Sequence, residues 1–132
     1  MAATPQANAQ PGERISEAEH AVMEVLWEEA PLSAQDVCAK VCAARGWSLP
    51  TVKTLLARLV TKQALSTARD GKRFLYSPAM ARSDYVVTES RRLVDRLFGG
   101  RAAPLFAQLA QSEALTDTDI AEIEALLKEL KS

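Results

Sequence analysis

The chain has 132 residues, enough for one domain or for one small domain with an appendage. Its apolar fraction of 48% supports a core, and with only 5% aromatics that core must be mostly Leu, Val, Ile and Ala. No apolar run approaches the ~20 residues a bilayer span needs, and one histidine with no nucleophile motif, phosphate loop or metal constellation argues against an enzyme and against a bound cofactor.

The first thirteen residues, M-A-A-T-P-Q-A-N-A-Q-P-G-E, lack a basic start and an apolar stretch. They are not a signal peptide. Their small and polar composition, with two prolines, predicts a disordered leader, and the chain is expected to be cytoplasmic.

Ser16-Glu17-Ala18-Glu19 is a capping box that opens the first helix, with Ile15 and His20 placed as a hydrophobic staple. Ala18, Val22, Val25, Leu26 and Trp27 mark its apolar side to about Glu29, and Pro31 closes it. Ser33 caps a second helix from Ala34 to about Arg45, where Gly46 ends it. Cys38 and Cys42 lie one turn apart on this helix and are expected to be reduced thiols used in packing. A thiol or metal sensor is the alternative, but metal ligation would need more ligands than His20 can supply.

Ser48 caps a third helix, with Pro50 in its first turn. Val52, Leu55, Leu56, Leu59 and Val60 form a clean apolar stripe, while Thr54, Arg58 and Thr61 fall opposite. The helix ends by Gln63. Leu65 to Asp70 and Phe74 to Ser77 have strand character, Asp70-Gly71-Lys72 is a tight hairpin signal, and Pro78 ends the second strand. Three short helices and then a hairpin form a winged helix-turn-helix, spanning residues 14–80.

Charge concentrates on this part of the chain. Residues 45–82 are net +7, against −5 for residues 1–44, +1 for 83–111 and −4 for 112–132. Nucleic-acid binding follows local charge rather than the total. The expected partner is therefore double-stranded DNA. The major groove accepts an α-helix. Ser48, Thr51, Lys53, Thr54 and Arg58 are the candidate contacts on the third helix. Lys62, further along, is expected to meet backbone. Arg69, Lys72 and Arg73 on the wing are expected to meet phosphate or the minor groove. A different class of reading is a winged helix that docks an acidic protein through the same cations.

From residue 81 the pattern is helical to the end. Ser83 is expected to cap a helix reaching Phe98, with Val86, Leu93, Val94, Leu97 and Phe98 among its apolar residues. Gly99-Gly100 breaks it. A short helix from Ala103 to Ala110 carries Leu105 and Leu109, and a last helix capped by Thr116 carries Ile120, Ile123, Leu127 and Leu130. Some 50 residues are too few to bury these stripes on one another. The region 81–132 is read as a dimerisation region, and a homodimer should read a near-palindromic operator.

Three stretches carry a resemblance: I-S-E-A-E-H-A-V-M-E-V-L-W at 15–27, T-V-K-T-L-L-A-R-L-V-T-K at 51–62 and G-K-R-F-L-Y-S-P at 71–78. With S-D-Y at 83–85, L-F-G-G at 97–100 and L-T-D-T-D-I at 115–120, the chain resembles the penicillinase and methicillin-resistance repressors of BlaI/MecI/CopY type. The resemblance implies a homodimeric repressor of resistance or signalling genes. It puts Thr51, Lys53, Thr54 and Arg58 on the recognition helix. Antibiotic-responsive members are inactivated by cutting an Asn–Phe bond in the dimerisation region, within a membrane sensor protease system. That bond aligns with Gln108–Leu109 here, a candidate cleavage position with a different residue pair. Copper-responsive members have a cysteine-rich C-terminal metal site, which the ending I-A-E-I-E-A-L-L-K-E-L-K-S does not match.

Overall fold

The computed structural model describes residues 13–132; the expected leader lies almost wholly outside them. The chain divides into two units, Met1–Tyr85 and Val86–Ser132.

The first unit begins with helices α1 (Glu17–Glu28), α2 (Ala34–Arg45) and α3 (Leu49–Thr61). A hairpin of β1 (Leu65–Asp70) and β2 (Arg73–Pro78) follows. The capping boxes explain where α1 and α2 start. Ser16 accepts from the Glu19 N–H at 3.1 Å and Glu19 returns a bond to the Ser16 N–H at 2.8 Å. Ser33 and Asp36 repeat the arrangement at 3.1 and 3.2 Å. These pairs satisfy N–H groups that a helix start leaves open. The same bonds hold the half-buried Asp36 carboxyl below its ordinary pKa, the Ser33 N–H contributing most. Gly46 ends α2 with φ +68°, a left-handed conformation that costs other L-residues about 1–2 kcal/mol.

The three helices close over one core. Val22, Met23, Leu26, Val37, Val52, Leu56 and Leu59 are buried almost completely. At the end of α3, Gln63 takes φ +64°, and the Ala64 N–H donates to the Leu59 carbonyl at 2.9 Å. This turn drops Ala64 and Leu65 into the core and starts the hairpin.

The strands pair in antiparallel register from Leu65↔Pro78 to Asp70↔Arg73, leaving a two-residue loop with Gly71 at φ +66°. The second strand thus begins at Arg73, one residue earlier than the sequence pattern indicates. A further pairing was not legible in the sequence: Leu32 bridges Tyr76, with backbone bonds of 3.1 and 2.8 Å. It ties the wing to the segment just before α2.

Helix α4 (Arg82–Phe98) starts at Arg82, so Ser83 lies inside the helix and does not cap it. Its first turn belongs to the first unit. Arg82 makes two bonds to the Glu24 carboxylate at 2.9 and 3.1 Å. This holds Glu24 below the usual carboxylate range. Tyr85 stacks on His20 at 5.3 Å, and His20 lies edge-on to Trp27 at 5.9 Å. The Trp27 indole N–H donates to the Met80 carbonyl at 3.0 Å. These contacts pack Arg82 and Tyr85 with the first unit, which ends at Tyr85.

The second unit holds the rest of α4, then α5 (Ala103–Gln111) and α6 (Asp117–Lys131). None of the three helices contains a buried residue. Val86, Leu93 and Leu97 on α4 are exposed, as are Ile120, Leu127 and Leu130 on α6; Leu130 is 82% exposed. Val94, Phe98, Leu105, Leu109 and Ile123 are half-buried. Phe106, Ala107, Ala110, Leu115, Ile123 and Leu127 help line an apolar groove of about 580 Å³ between α5 and α6. Among the described residues no helix is long and apolar enough to cross a membrane.

Candidate nucleic-acid interface

Helix α3 buries its stripe of Val52, Leu55, Leu56 and Leu59, and so must turn Thr51, Lys53, Ala57 and Thr61 to solvent. At its start the Ser48 hydroxyl accepts weakly from the Thr51 N–H at 3.5 Å and lies 3.2 Å from the Thr51 hydroxyl. Ser48 and Thr51 thus form one small polar point at the helix N-terminus. Thr54 and Arg58 are half-buried along the same face. The inner Arg58 nitrogen, Nε, is buried without a hydrogen-bond partner. The Thr61 hydroxyl is spent on the Ala57 carbonyl at 3.1 Å.

The wing stands beside this face. Lys53 of α3, Ser33 and Gln35 at the start of α2, and Lys72, Arg73 and Tyr76 of the hairpin line a cleft of about 400 Å³. The Leu32–Tyr76 bridge explains the closeness, because it holds β2 against the entrance to α2. Gln35 and Tyr76 were missed in the sequence reading. Only the fold brings them to Lys53, and neither has a charge or spacing that marks it in advance.

The cations sort into three states. Lys53 and Lys72 are exposed and make no ion pair among the described residues. Arg69 lies 5.0 Å from the Phe74 ring centroid and donates to the Gly71 carbonyl at 3.3 Å, so the wing itself orients it. Arg73 is held by Asp70 at 3.0 and 3.2 Å, an exposed pair. Exposed pairs are worth roughly 0–1 kcal/mol, so Arg73 remains able to exchange Asp70 for another anion. Arg45, the last residue of α2, rests 5.1 Å from the Trp47 ring centroid. It counted toward the local charge but had no place in the candidate set.

Lys62 requires a correction. The sequence placed it on the DNA backbone, yet it is buried, and its Nζ lies 2.6 Å from Glu19 and 2.9 Å from the Arg14 carbonyl. Glu19 is 1% exposed. A charge removed from water needs a paired and hydrogen-bonded partner, and Glu19 lies 43 residues away in the chain. The pair locks the start of α1 to the end of α3. Among the described residues of the basic segment, Arg45, Lys53, Arg58, Arg69 and Lys72 are left without an acidic partner.

A second correction concerns the cysteines. Cys38 and Cys42 are joined by a disulfide within α2 and are not free thiols. Among the described residues no three His, Cys, Asp or Glu side chains gather as a metal site. At the candidate cleavage position, Gln108 is exposed and Leu109 half-buried, both inside α5.

Comparison with known proteins places this geometry. Residues 15–129 match the penicillinase repressor family. The chain is 29% identical over 119 residues to a penicillinase repressor of Bacillus licheniformis, covering 90% of this chain and 93% of that protein. It is 28% identical over 113 residues to the methicillin resistance regulatory protein MecI of Mammaliicoccus sciuri, covering 86% and 92%. Among solved structures it is similar to the DNA-binding domain of the repressor BlaI, at 34% identity and TM-score 0.52, covering 58% of this chain and 93% of that one.

Proposed function

We propose, on the premise that the chain belongs to the penicillinase repressor family and is a transcriptional repressor rather than an enzyme, that two copies bind a near-palindromic operator in the cytoplasm. The regulated genes are resistance genes or their relatives. One observation supports this above the rest: Lys53 on α3 and Lys72 on the wing, neither paired with an acid, line one cleft beside the polar face of α3.

Helix α3 enters the major groove. Its N-terminus, with Ser48 and Thr51, faces a phosphate or a base edge. Lys53, Thr54 and Arg58 reach base edges. Arg69, Lys72 and Arg73 grip phosphate from the wing, and Arg45 does so from the end of α2. Contacts of this kind set position rather than sequence.

The dimer rests on the second unit. Val86, Leu93, Val94, Leu97, Phe98, Leu105, Leu109, Ile120, Ile123, Leu127 and Leu130 leave an apolar surface that one copy does not cover. A second copy covers it. Release from DNA through cutting at Gln108–Leu109 by a sensor protease is the family route carried over. The helical setting of that bond requires α5 to open before it is cut.

The test is an operator selected from a random DNA pool, with affinity read across salt. Replacing Lys72 and Arg73 together with Ala lowers the salt slope by about two units. A Lys62→Met variant that stays folded leaves the slope unchanged. Arg58→Ala costs ~1–3 kcal/mol on the operator and less on random DNA. An unchanged slope in the double variant removes the cleft from the interface. Tight binding to acidic proteins with no operator selected would favour the protein-docking reading.

A further inference from the structure

We infer that Cys38 and Cys42 form a reversible thiol–disulfide site that reacts with hydroperoxides, and that closing the bond weakens DNA binding. The inference rests on the reading of α3 as the DNA-contacting helix in a reducing compartment.

The bond joins two residues one turn apart on α2. Cross-links that close so short a loop remove little entropy from the unfolded chain, so this one is not a staple for the fold. In a reducing compartment disulfides are mostly transient and sensing. Both cysteines are half-buried at the edge of the core rather than enclosed in it.

The position of the pair gives it an output. The Cys42 carbonyl accepts both the Gly46 N–H, which caps α2, and the Trp47 N–H at 3.0 Å. Trp47 carries Arg45 over its ring, and the next residue, Ser48, is the N-cap of α3. The turn that starts the DNA-contacting helix therefore hangs from one member of the pair. With the bond closed, the two Cα atoms are 4.9 Å apart. Four residues of a regular α-helix rise about 6 Å. Closing the bond draws in the last turns of α2 and moves the Cys42 carbonyl with them. Binding constellations tolerate displacements of only about 0.5 Å.

The chemistry balances. One thiolate attacks the terminal oxygen of the hydroperoxide, the O–O bond breaks, and a sulfenic acid forms as the alcohol leaves with a proton. The second thiol attacks the sulfenic sulfur, the S–S bond forms, and water leaves. Two electrons pass from the sulfurs to the peroxide. A dithiol reopens the bond by exchange, becoming a disulfide itself.

The experiment uses the full chain and an operator selected by the reduced protein. Hydrogen peroxide should remove two hydrogens, read by intact mass, and raise the operator Kd about tenfold. Dithiothreitol should restore the mass and the affinity. Cys38→Ser and the double Cys38→Ser/Cys42→Ser variant should bind like the reduced protein before and after peroxide. Failure of the bond to form, equal affinity of the two redox forms, or tighter binding by the oxidised form overturns the inference. A reduced protein that selects no DNA sequence overturns the reading of α3, and this inference with it.

Discussion

The two units have similar kinds of residue and reach opposite ends. Residues up to Tyr85 use their Val, Leu and Met side chains to close a core in which seven side chains of α1, α2 and α3 are buried almost completely. Residues from Val86 on have apolar stripes just as regular, yet their helices bury no side chain. Periodicity alone does not distinguish a stripe that meets another stripe of the same chain from one that does not. The difference lies in what fixes each helix relative to its neighbours. The first unit has the Lys62–Glu19 pair, the Leu32–Tyr76 bridge and the Trp27–Met80 bond, all spanning distant parts of the sequence. Every hydrogen bond found within the second unit is local.

The largest effect expected from this contrast is at Glu19. Glu19→Ala takes the close carboxylate from the buried Lys62 ammonium, leaving only Glu13 at 3.9 Å, and should cost about 3–5 kcal/mol of stability. Urea unfolding should show the loss at every protein concentration. A cost below about 1 kcal/mol would mean that Lys62 escapes to solvent, and would reopen it as a DNA contact.

The same chemical change in each unit sharpens the comparison. Leu56→Ala should cost about 2–5 kcal/mol, because the side chain is fully enclosed. Leu127→Ala removes an exposed side chain and should leave the first unit's transition in place. Its effect should appear in sedimentation, as a weaker self-association. If both variants lowered stability equally at high dilution, the second unit would have a closed core of its own.

The smallest effect is at Gln63, whose left-handed backbone disfavours any side chain with a Cβ. Gln63→Gly should stabilise the first unit by about 1 kcal/mol without changing DNA affinity, measured by urea midpoint and operator titration. A loss of stability would show that the Gln63 side chain contributes something its exposure does not suggest.

Much of the fold was legible because its signals are local. Ser16, Ser33, Ser48 and Thr116 mark helix starts through bonds to residues three positions on, and Gly46 and Gly71 mark turns by backbone sign. The candidate face was legible in part: Thr51 and Lys53 turn outward simply because Val52, Leu55 and Leu56 turn inward. Lys62 was misread because a lysine at the end of a cationic helix looks like any other until Glu19 is brought beneath it. The Leu32–Tyr76 bridge is too short to leave a pattern. The cysteine spacing was plain, but the bond between them was not, since compartment chemistry favours thiols.

The Glu19–Lys62 pair also bears on how the chain avoids wrong packings. A core of interchangeable valines and leucines would accept α1 slid by one turn along α3 with little loss of apolar contact. The ion pair would not, because a slip strands two charges away from water and from each other. The Ser16 box tightens the constraint, since the same Glu19 oxygen that meets Lys62 also caps the start of α1. One carboxylate thus checks that the helix begins at the right residue and that it lies in the right register. By fixing α3 against α1, that check decides which side chains of α3 face outward.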